Sequence, residues 1–515
     1  MDWTGGYVAD IGYTSDFYRE TGPAHMAFAA LSIGRSAGRA LRPERMLELG
    51  FGQGFGLALL AAANPHVACE GHDFNPEHVA HAQDLIKGAG LANLKVSEAS
   101  FEEVALRGGE NDIDVIAVHG IFSWVSPQAQ DAIVSIVRQR LQPNGLFYVS
   151  YNCMPGWAPL LPIKQFLLEI KRRNPGRSSE RQLALALELI TKLKDGNAGY
   201  FVANPSAVQH LNHLNQLLQQ DRAYLAHEYL HEHWHLFQFS ELAAQLAEAK
   251  LSFVCSATLG ENLDTYAVPQ ALAALVAATD DPIMRETLRD YAGNKRFRRD
   301  MFARGTAVMT GAEHRSALSE LKFALAVPRR NLSFKFSVPM GEVTGIDDIY
   351  RPVADLLDAR IARFDELLAL PRFANGKIGS LLDCLTLLIG SGQVVPIFPA
   401  AAATDMEPAR RFNRMVIEHI RAGRSYRYLA SPVAGTGIAV SDLELLALAA
   451  LLDGRGQDAP AAAKYGLALL KGCGKVPMKD GRPLQEEAEG LSFLEDRLGP
   501  ILDDSVPVWR RLGVL

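Results

Sequence analysis

The sequence predicts an α/β protein built on a doubly wound sheet, and three observations carry that prediction. Over the first 150 residues, short apolar runs suited to buried strands alternate with helical runs. A glycine-rich turn, "FGQGFG", follows the first strand, and the second ends on an acidic residue, Asp73. Strands that alternate with helices need crossover connections, which make the sheet parallel and put ligands at the carboxyl ends of its strands.

Each element has its own signal. "RMLELG" (45–50) is the first strand, and "LALLAAANP" reads as a helix that stops before Pro65. "HVACEGHDF" (66–74) is the second strand; the helix "NPEHVAHAQDLIKGAG" follows with Asn75 as N-cap and Pro76 at its first position, where proline's missing N–H costs nothing. A third strand is predicted at "LKVSEAS", a fourth at "IDVIAVHG" (113–120) and a fifth at "GLFYVSYN" (145–152), with the helical "SPQAQDAIVSIVRQRLQP" between the last two. Residues 1–40 read as an N-terminal helical segment and 41–155 as the ligand-binding core. Beyond "MPGW" the chain turns helical through "LLPIKQFLLEIKRR" and "ERQLALALELITKLKD" (180–195), so 156–236 reads as a helical insertion. "FQFSELAAQLAEAKLSFVCSATL" (237–259) has Ser240 as a cap, then a helix and a strand, and "DTYAVP" offers a further strand. Residues 271–515 read as mainly helical, with a winged-helix-like pattern at 355–400. Within them "DPIMRETLRDYAGNKRFRRDMFAR" (281–304) reads as one helix with a basic, solvated end at Lys295, Arg296, Arg298 and Arg299.

Bulk properties narrow the classes. A chain of 515 residues exceeds one core and suggests two to four domains. A net charge of −6 gives no argument for a nucleic-acid partner. The five cysteines are scattered and never form C-x-x-C, which fits a reducing compartment without a thiolate metal site. The start of the chain carries no basic region followed by an apolar core, and no apolar run reaches the roughly 20 residues a membrane span needs. The expectation is a cytoplasmic protein without membrane insertion.

The glycines point to a ligand. Gly50, Gly52, Gly54 and Gly56 form G-x-G-x-G-x-G, whereas a dinucleotide fingerprint would need glycine at Phe55. Glu48 stands two residues before the first glycine, and Asp73 ends the second strand, where a carboxylate can take both hydroxyls of a ribose. This order, closed by "LQPNGLFYVSYN", resembles the class I S-adenosylmethionine-dependent methyltransferases. The resemblance implies a seven-stranded Rossmann-like sheet, completed at 237–270 beyond an insertion that covers the active site. It also implies S-adenosyl-L-methionine as cofactor, S-adenosylhomocysteine as product and no metal. Glu48, Gly50, Gly52 and Gly54 would face the methionine and ribose, Asp73 would hold the ribose, and Phe74, Ser100 and Phe101 would adjoin the adenine. Many members carry Asp where this chain has Ser100.

Two further stretches, "VHGIFSWVSP" (118–127) and "SYNCMPGW" (150–157), resemble a bacterial subgroup in which a methyltransferase regulatory domain follows the catalytic one. The subgroup includes rickettsial outer-membrane-protein lysine methyltransferases. The resemblance implies lysine N-methylation of a protein substrate. A small-molecule methyltransferase with a helical lid, or a non-catalytic protein that binds the cofactor, are the alternatives; a homodimer is left open. Methyl transfer needs an uncharged nucleophile in a dry, electron-rich pocket, and aromatic rings attract a sulfonium and an ammonium. Tyr13, Phe122, Trp124, Tyr151 and Trp157 are the aromatic candidates. His119 could stack on the cofactor or accept a proton, and Asn152 could orient an amine.

One motif competes. "HEYLHEHWH" (227–235) contains H-E-x-x-H at His227, Glu228 and His231, the spacing with which a helix holds zinc. A third ligand at defined spacing is missing, since Trp234 and Phe237 stand where a metzincin has glycine and histidine. The motif therefore reads as a coincidental helix surface carrying His227, His231 and His235.

Overall fold

The computed structural model describes residues 16–218, 225, 229–305, 308–374, 376–399, 405–424 and 426–515. Five parallel strands build the centre of one sheet: β1 (Arg45–Leu49), β2 (Ala68–Asp73), β3 (Leu94–Glu98), β4 (Ile113–Val118) and β5 (Leu141–Asn152). The full order is β3-β2-β1-β4-β5-β7-β6, with β6 at Ser252–Ser256 and β7 at Phe297–Ala303. β7 runs antiparallel to both neighbours, pairing Tyr148 with Met301 and Tyr151 with Arg298. This is the seven-stranded class I methyltransferase sheet that the glycine loop implied.

Helices flank the sheet, four of them as the sequence predicts and a fifth, Phe101–Arg107, unforeseen. α1 is Pro23–Ser32, α2 Phe55–Ala63, α3 Pro76–Ala89, α4 Phe101–Arg107 and α5 Pro127–Arg140. Asn75 caps α3 by accepting from the Glu77 N–H, and Ser126 caps α5 by accepting from Ala129 N–H at 3.2 Å. α2 is apolar on every side and buried at every position but Gly56, because a second layer covers its outer face. That layer comes from the far end of the chain: helix Glu407–Arg421 packs on α2 and α3, and the hairpin Tyr428–Ser431/Thr436–Ala439 packs on α2. Phe55 stacks on Tyr426 at 4.4 Å, and Arg411 donates to the Ala89 and Gly90 carbonyls. The C-terminal region thus shares one apolar core with the sheet.

The insertion is helical, with α6 (Leu161–Arg173), α7 (Ser179–Asp195), α8 (Gly199–Ala203) and α9 (Pro205–Leu218) enclosing a core of their own. Four sequence expectations need correction. Residues 231–236 are irregular, so His231 and His235 do not share a helix face. Helix α10 (Phe239–Ala247) starts one residue before Ser240, with Gln238 at its N-cap, so Ser240 is not the cap. "DTYAVP" is helical at Asp264–Ala267 instead of a strand. The supposed basic helix 281–304 is a helix, Pro282–Ala292, followed by β7, which closes the sheet beyond residue 270.

β7 was hidden by its charges. Arg298 is 3% exposed, and its guanidinium donates to Glu286, Asp290 and Asp300, while Tyr151 O–H donates to Asp300 at 2.6 Å. Burial, with the nearby Asp300 charge adding to it, raises Asp290 to about 6 against the opposing pull of Arg298. On the sequence this strand looks like a solvated face; its charges neutralise each other indoors. The stretch 355–400 gives helices Phe364–Leu368 and Ile378–Gly390 and strand Val394–Ile397, which joins a three-stranded sheet with Ala362–Arg363 and Lys322–Leu325. No helix among the described residues is long and apolar enough to cross a membrane.

Candidate active site

A cavity opens at the carboxyl ends of β1, β2 and β4, where the strand order reverses. Its floor is the loop after β1. Gly50, Gly52 and Gly54 have φ of 72°, 58° and 74°, in the left-handed region that favours glycine. A Cβ on Gly50 would come within 2.6 Å of Ile121, and one on Gly54 within 2.5 Å of Ala82. The loop therefore runs tightly between Ile121, past β4, and α3, where side chains on Gly50 and Gly54 would clash.

Asp73 locks that loop to the end of β2. Its Oδ2 accepts from Gly52 N–H at 2.9 Å; its Oδ1 accepts from Asn75 N–H at 2.9 Å and from His78 Nδ1 at 3.2 Å. Glu48, on β1, also lines the cavity; its Oε2 is buried with no hydrogen-bond partner among the described residues. Burial, and then the nearby Asp73 charge, push the Glu48 carboxyl up to about 8. A buried carboxylate oxygen without a partner is costly, and a ligand cation would relieve it.

Phe74 and Phe101 line the cavity with the loop. Ser100 does not line it: its hydroxyl accepts from Glu103 N–H at 3.2 Å, capping α4 in a capping box. His119, just past β4, stands at the other end. Its ring stacks on Tyr18 at 3.8 Å, and its Nδ1 pairs with Tyr148 O–H at 2.7 Å. Burial, with Arg299 second, pushes His119 down to about 3, so the imidazole is neutral at working pH.

The other sequence candidates divide. Trp124 lines the cavity, stacking on Trp234 at 5.9 Å, with Lys164 Nζ from α6 at 4.8 Å from its ring centroid. Tyr151 and Phe122 do not reach it. Side chains alternate along β5, so Phe147, Val149 and Tyr151 face the core under α5 and α10, while Tyr148 faces α1 and α2. Phe122 packs against Phe237 at 5.4 Å. Asn152 does not line the cavity; its backbone N–H donates to Ser123 Oγ at 2.8 Å. Trp157 belongs to the insertion, against His210 at 5.7 Å and Trp234 at 6.1 Å. Tyr13 lies outside the described residues, as do His227 and Glu228 of the zinc motif.

Sequence reasoning missed His231 and the N-terminal strap. His231 is 3% exposed, packs on Trp124 at 5.6 Å and lines the cavity, so it is not a surface histidine. Asp16, Tyr18 and Thr21 close the cavity from the segment ahead of α1. The sequence candidate Tyr13, just ahead of them, was the nearest signal. No group of three or more His, Cys, Asp or Glu side chains among the described residues is placed to hold a metal.

Comparisons with known proteins agree with this geometry. The family model of the methyltransferase domain matches residues 46–145, and that of the predicted methyltransferase regulatory domain matches 221–304. An uncharacterized protein of Synechocystis is 34% identical over 515 residues, covering 100% of both chains. A second uncharacterized protein, from Rickettsia prowazekii, is 26% identical over 300 residues, which are 57% of this chain and 53% of that one. Among solved structures, PKMT2 from Rickettsia typhi in complex with AdoHcy shares the fold with a TM-score of 0.65 at 18% identity, covering 98% of this chain and 99% of that one. The stretch matched as regulatory contributes β6 and β7, so it completes the catalytic sheet instead of standing apart from it. The chain belongs to the class I S-adenosylmethionine-dependent methyltransferases that carry a methyltransferase regulatory domain.

Proposed function

We propose that this methyltransferase N-methylates lysine side chains of a protein substrate. The observation that carries the reading is the Tyr18–His119 stack: a neutral imidazole and a phenol ring at the end of β4, beside the cofactor cavity. The name of the Rickettsia typhi neighbour, PKMT2, and the sequence resemblance to lysine methyltransferases point the same way.

Bound S-adenosylmethionine supplies an electrophilic methyl group on a positively charged sulfur. The chain's own residues fit that molecule. Glu48, with its unsatisfied Oε2, takes the amino group of the methionine part, and the bare backbone of Gly50, Gly52 and Gly54 lets the ligand lie against the loop. Asp73 retains lone pairs for the ribose hydroxyls beyond its bonds to the loop amides. Phe74 and Phe101 flank the adenine, Trp124 and His231 close the remaining wall, and Ser100 serves α4 as a cap. An ammonium has no lone pair, so the acceptor must lose a proton before it attacks. His119, held neutral, flanks the acceptor's approach without adding charge, and the aromatic walls keep water out.

The test is transfer of tritiated methyl from S-adenosylmethionine to the proteins of a bacterial lysate, followed by acid hydrolysis. Label recovered as methyllysine is the expected result. Label confined to small molecules, or lost as a base-labile ester, would overturn the lysine reading.

A further inference from the structure

A second cavity, of about 460 Å3, adjoins the first and shares Asp16 and Tyr18 with it. Its walls come from residues far apart in sequence: Glu20 and His25 before and in α1, Arg299 on β7, Val327 after strand Lys322–Leu325, and Thr436 on the C-terminal hairpin. We propose that this cavity binds the acceptor: a lysine side chain together with the peptide backbone around it. The proposal rests on the lysine reading above and names the place and the chemistry of recognition.

Three observations support it. First, the position is right for transfer. Tyr18 separates the two cavities while stacked on His119, and Arg299 and Glu20 of the second cavity act electrostatically on His119. Second, the walls hold polar atoms that the described residues do not satisfy. Thr436 Oγ1 and Arg299 Nε are buried with no hydrogen-bond partner among the described residues, and Thr436 is only 9% exposed. Buried polar atoms of this kind are uncommon in native folds. A peptide group offers the acceptor that Arg299 Nε needs, and either partner suits a hydroxyl.

Third, the charges suit an amine that must end up neutral. Burial pushes Glu20 up, but His25, Arg19 and Arg299 outweigh it and hold Glu20 below the usual carboxylate range. Glu20 therefore offers a carboxylate to an arriving ammonium, and Asp16 lines the same cavity. Arg299, on the same wall, disfavours the charged amine close to the stack. His25 is not available for this: it is buried, pushed down to about 4, and its Nε2–H donates to Ala257 O at 2.6 Å. The C-terminal half, through Thr436 and the strand Val394–Ile397, thus supplies part of the acceptor's binding wall.

The experiment uses the full chain loaded with S-adenosylhomocysteine and a defined probe, N-acetyl-lysine N-methylamide, read by saturation-transfer NMR against its norleucine isostere. Val327→Trp fills the cavity; Thr436→Val removes one hydroxyl without changing volume. Calorimetry with S-adenosylhomocysteine and a thermal midpoint check that both variants remain folded. The expected result is a lysine-probe signal in the wild type that exceeds the norleucine signal. It should fall at least about tenfold in Val327→Trp and about three- to tenfold in affinity in Thr436→Val, with cofactor affinity retained. Equal signals for the two probes, no wild-type signal, or a signal indifferent to Val327→Trp would overturn the proposal. Methyl label found on oxygen in lysate protein, yet lost in Val327→Trp, would keep the cavity as the acceptor site and overturn only the lysine chemistry.

Discussion

The proposed cofactor side of the site is made by residues 48–56 and 73–74, neighbours in one βαβ unit, whereas the proposed acceptor side draws on residues 16–25, 119, 299 and 436. The first is local: a tight loop needs positive φ, an acidic strand end locks it, and both leave a mark in consecutive residues. The second exists only once the N-terminal strap, β7 and the C-terminal hairpin have folded against one another. The lesson is that binding of a universal cofactor can be confined to a short motif, while selection of the acceptor is spread over the whole chain.

Breaking the local half should have the largest effect. Asp73→Ala removes the carboxylate assigned to the ribose as well as the anchor of Gly52 N–H. Two charge-assisted hydrogen bonds at roughly 1.5–3 kcal/mol each predict a loss of about 100-fold or more in S-adenosylhomocysteine affinity by calorimetry. Unchanged affinity would take Asp73 out of the site.

The dispersed half should break through folding instead. Arg298→Met strands Asp290 and Asp300 in the interior without their cation and leaves Glu286 to Arg289 alone. Urea unfolding should show a loss of about 3–5 kcal/mol, with cofactor affinity of the folded protein little changed. A loss within about 0.5 kcal/mol is what a solvated basic helix would give, and it would remove β7 from the sheet.

These two variants also mark what the sequence could and could not disclose. The glycine loop, Asp73 and the Asn75 cap act within a few residues of themselves and were legible. β7 was not, because Arg298 and Asp300 look solvent-facing until Asp290 and Glu286 from the preceding helix are packed over them. Tyr151 was placed at the right strand end but on the wrong face, since one step along a strand exchanges the two sides of the sheet. His231 was read as surface decoration because nothing local shows that an irregular segment folds back onto Trp124.

A smaller effect sharpens the comparison through pH. Glu48 is raised to about 8 from an ordinary carboxyl value, so its ionised fraction grows as pH climbs from 6 to 8. If the anion holds the cofactor's ammonium, S-adenosylhomocysteine should bind more tightly with rising pH, by up to about tenfold per unit below 8. The same raised value means that Glu48's contribution to folding is present at low pH and is lost as pH rises towards 8. Calorimetry between pH 6 and 8 should therefore show a slope in the wild type and none in Glu48→Gln; a flat wild-type profile would remove Glu48 from the ligand.

The smallest effect belongs to Ser100→Ala. Loss of the α4 capping box should cost about 1 kcal/mol in urea unfolding and leave cofactor affinity within about twofold. A larger loss of affinity would restore Ser100 to the adenine pocket.

The two halves meet at the Tyr18–His119 stack, and the most direct measurement is a crystal structure of the protein with S-adenosylhomocysteine. The sulfur should lie at that stack, facing the cavity that holds Glu20 and Arg299, with the amino group on Glu48 and the ribose on Asp73. A sulfur turned instead towards Trp124, Trp234 and Lys164 would place the acceptor under the helical insertion and contradict it.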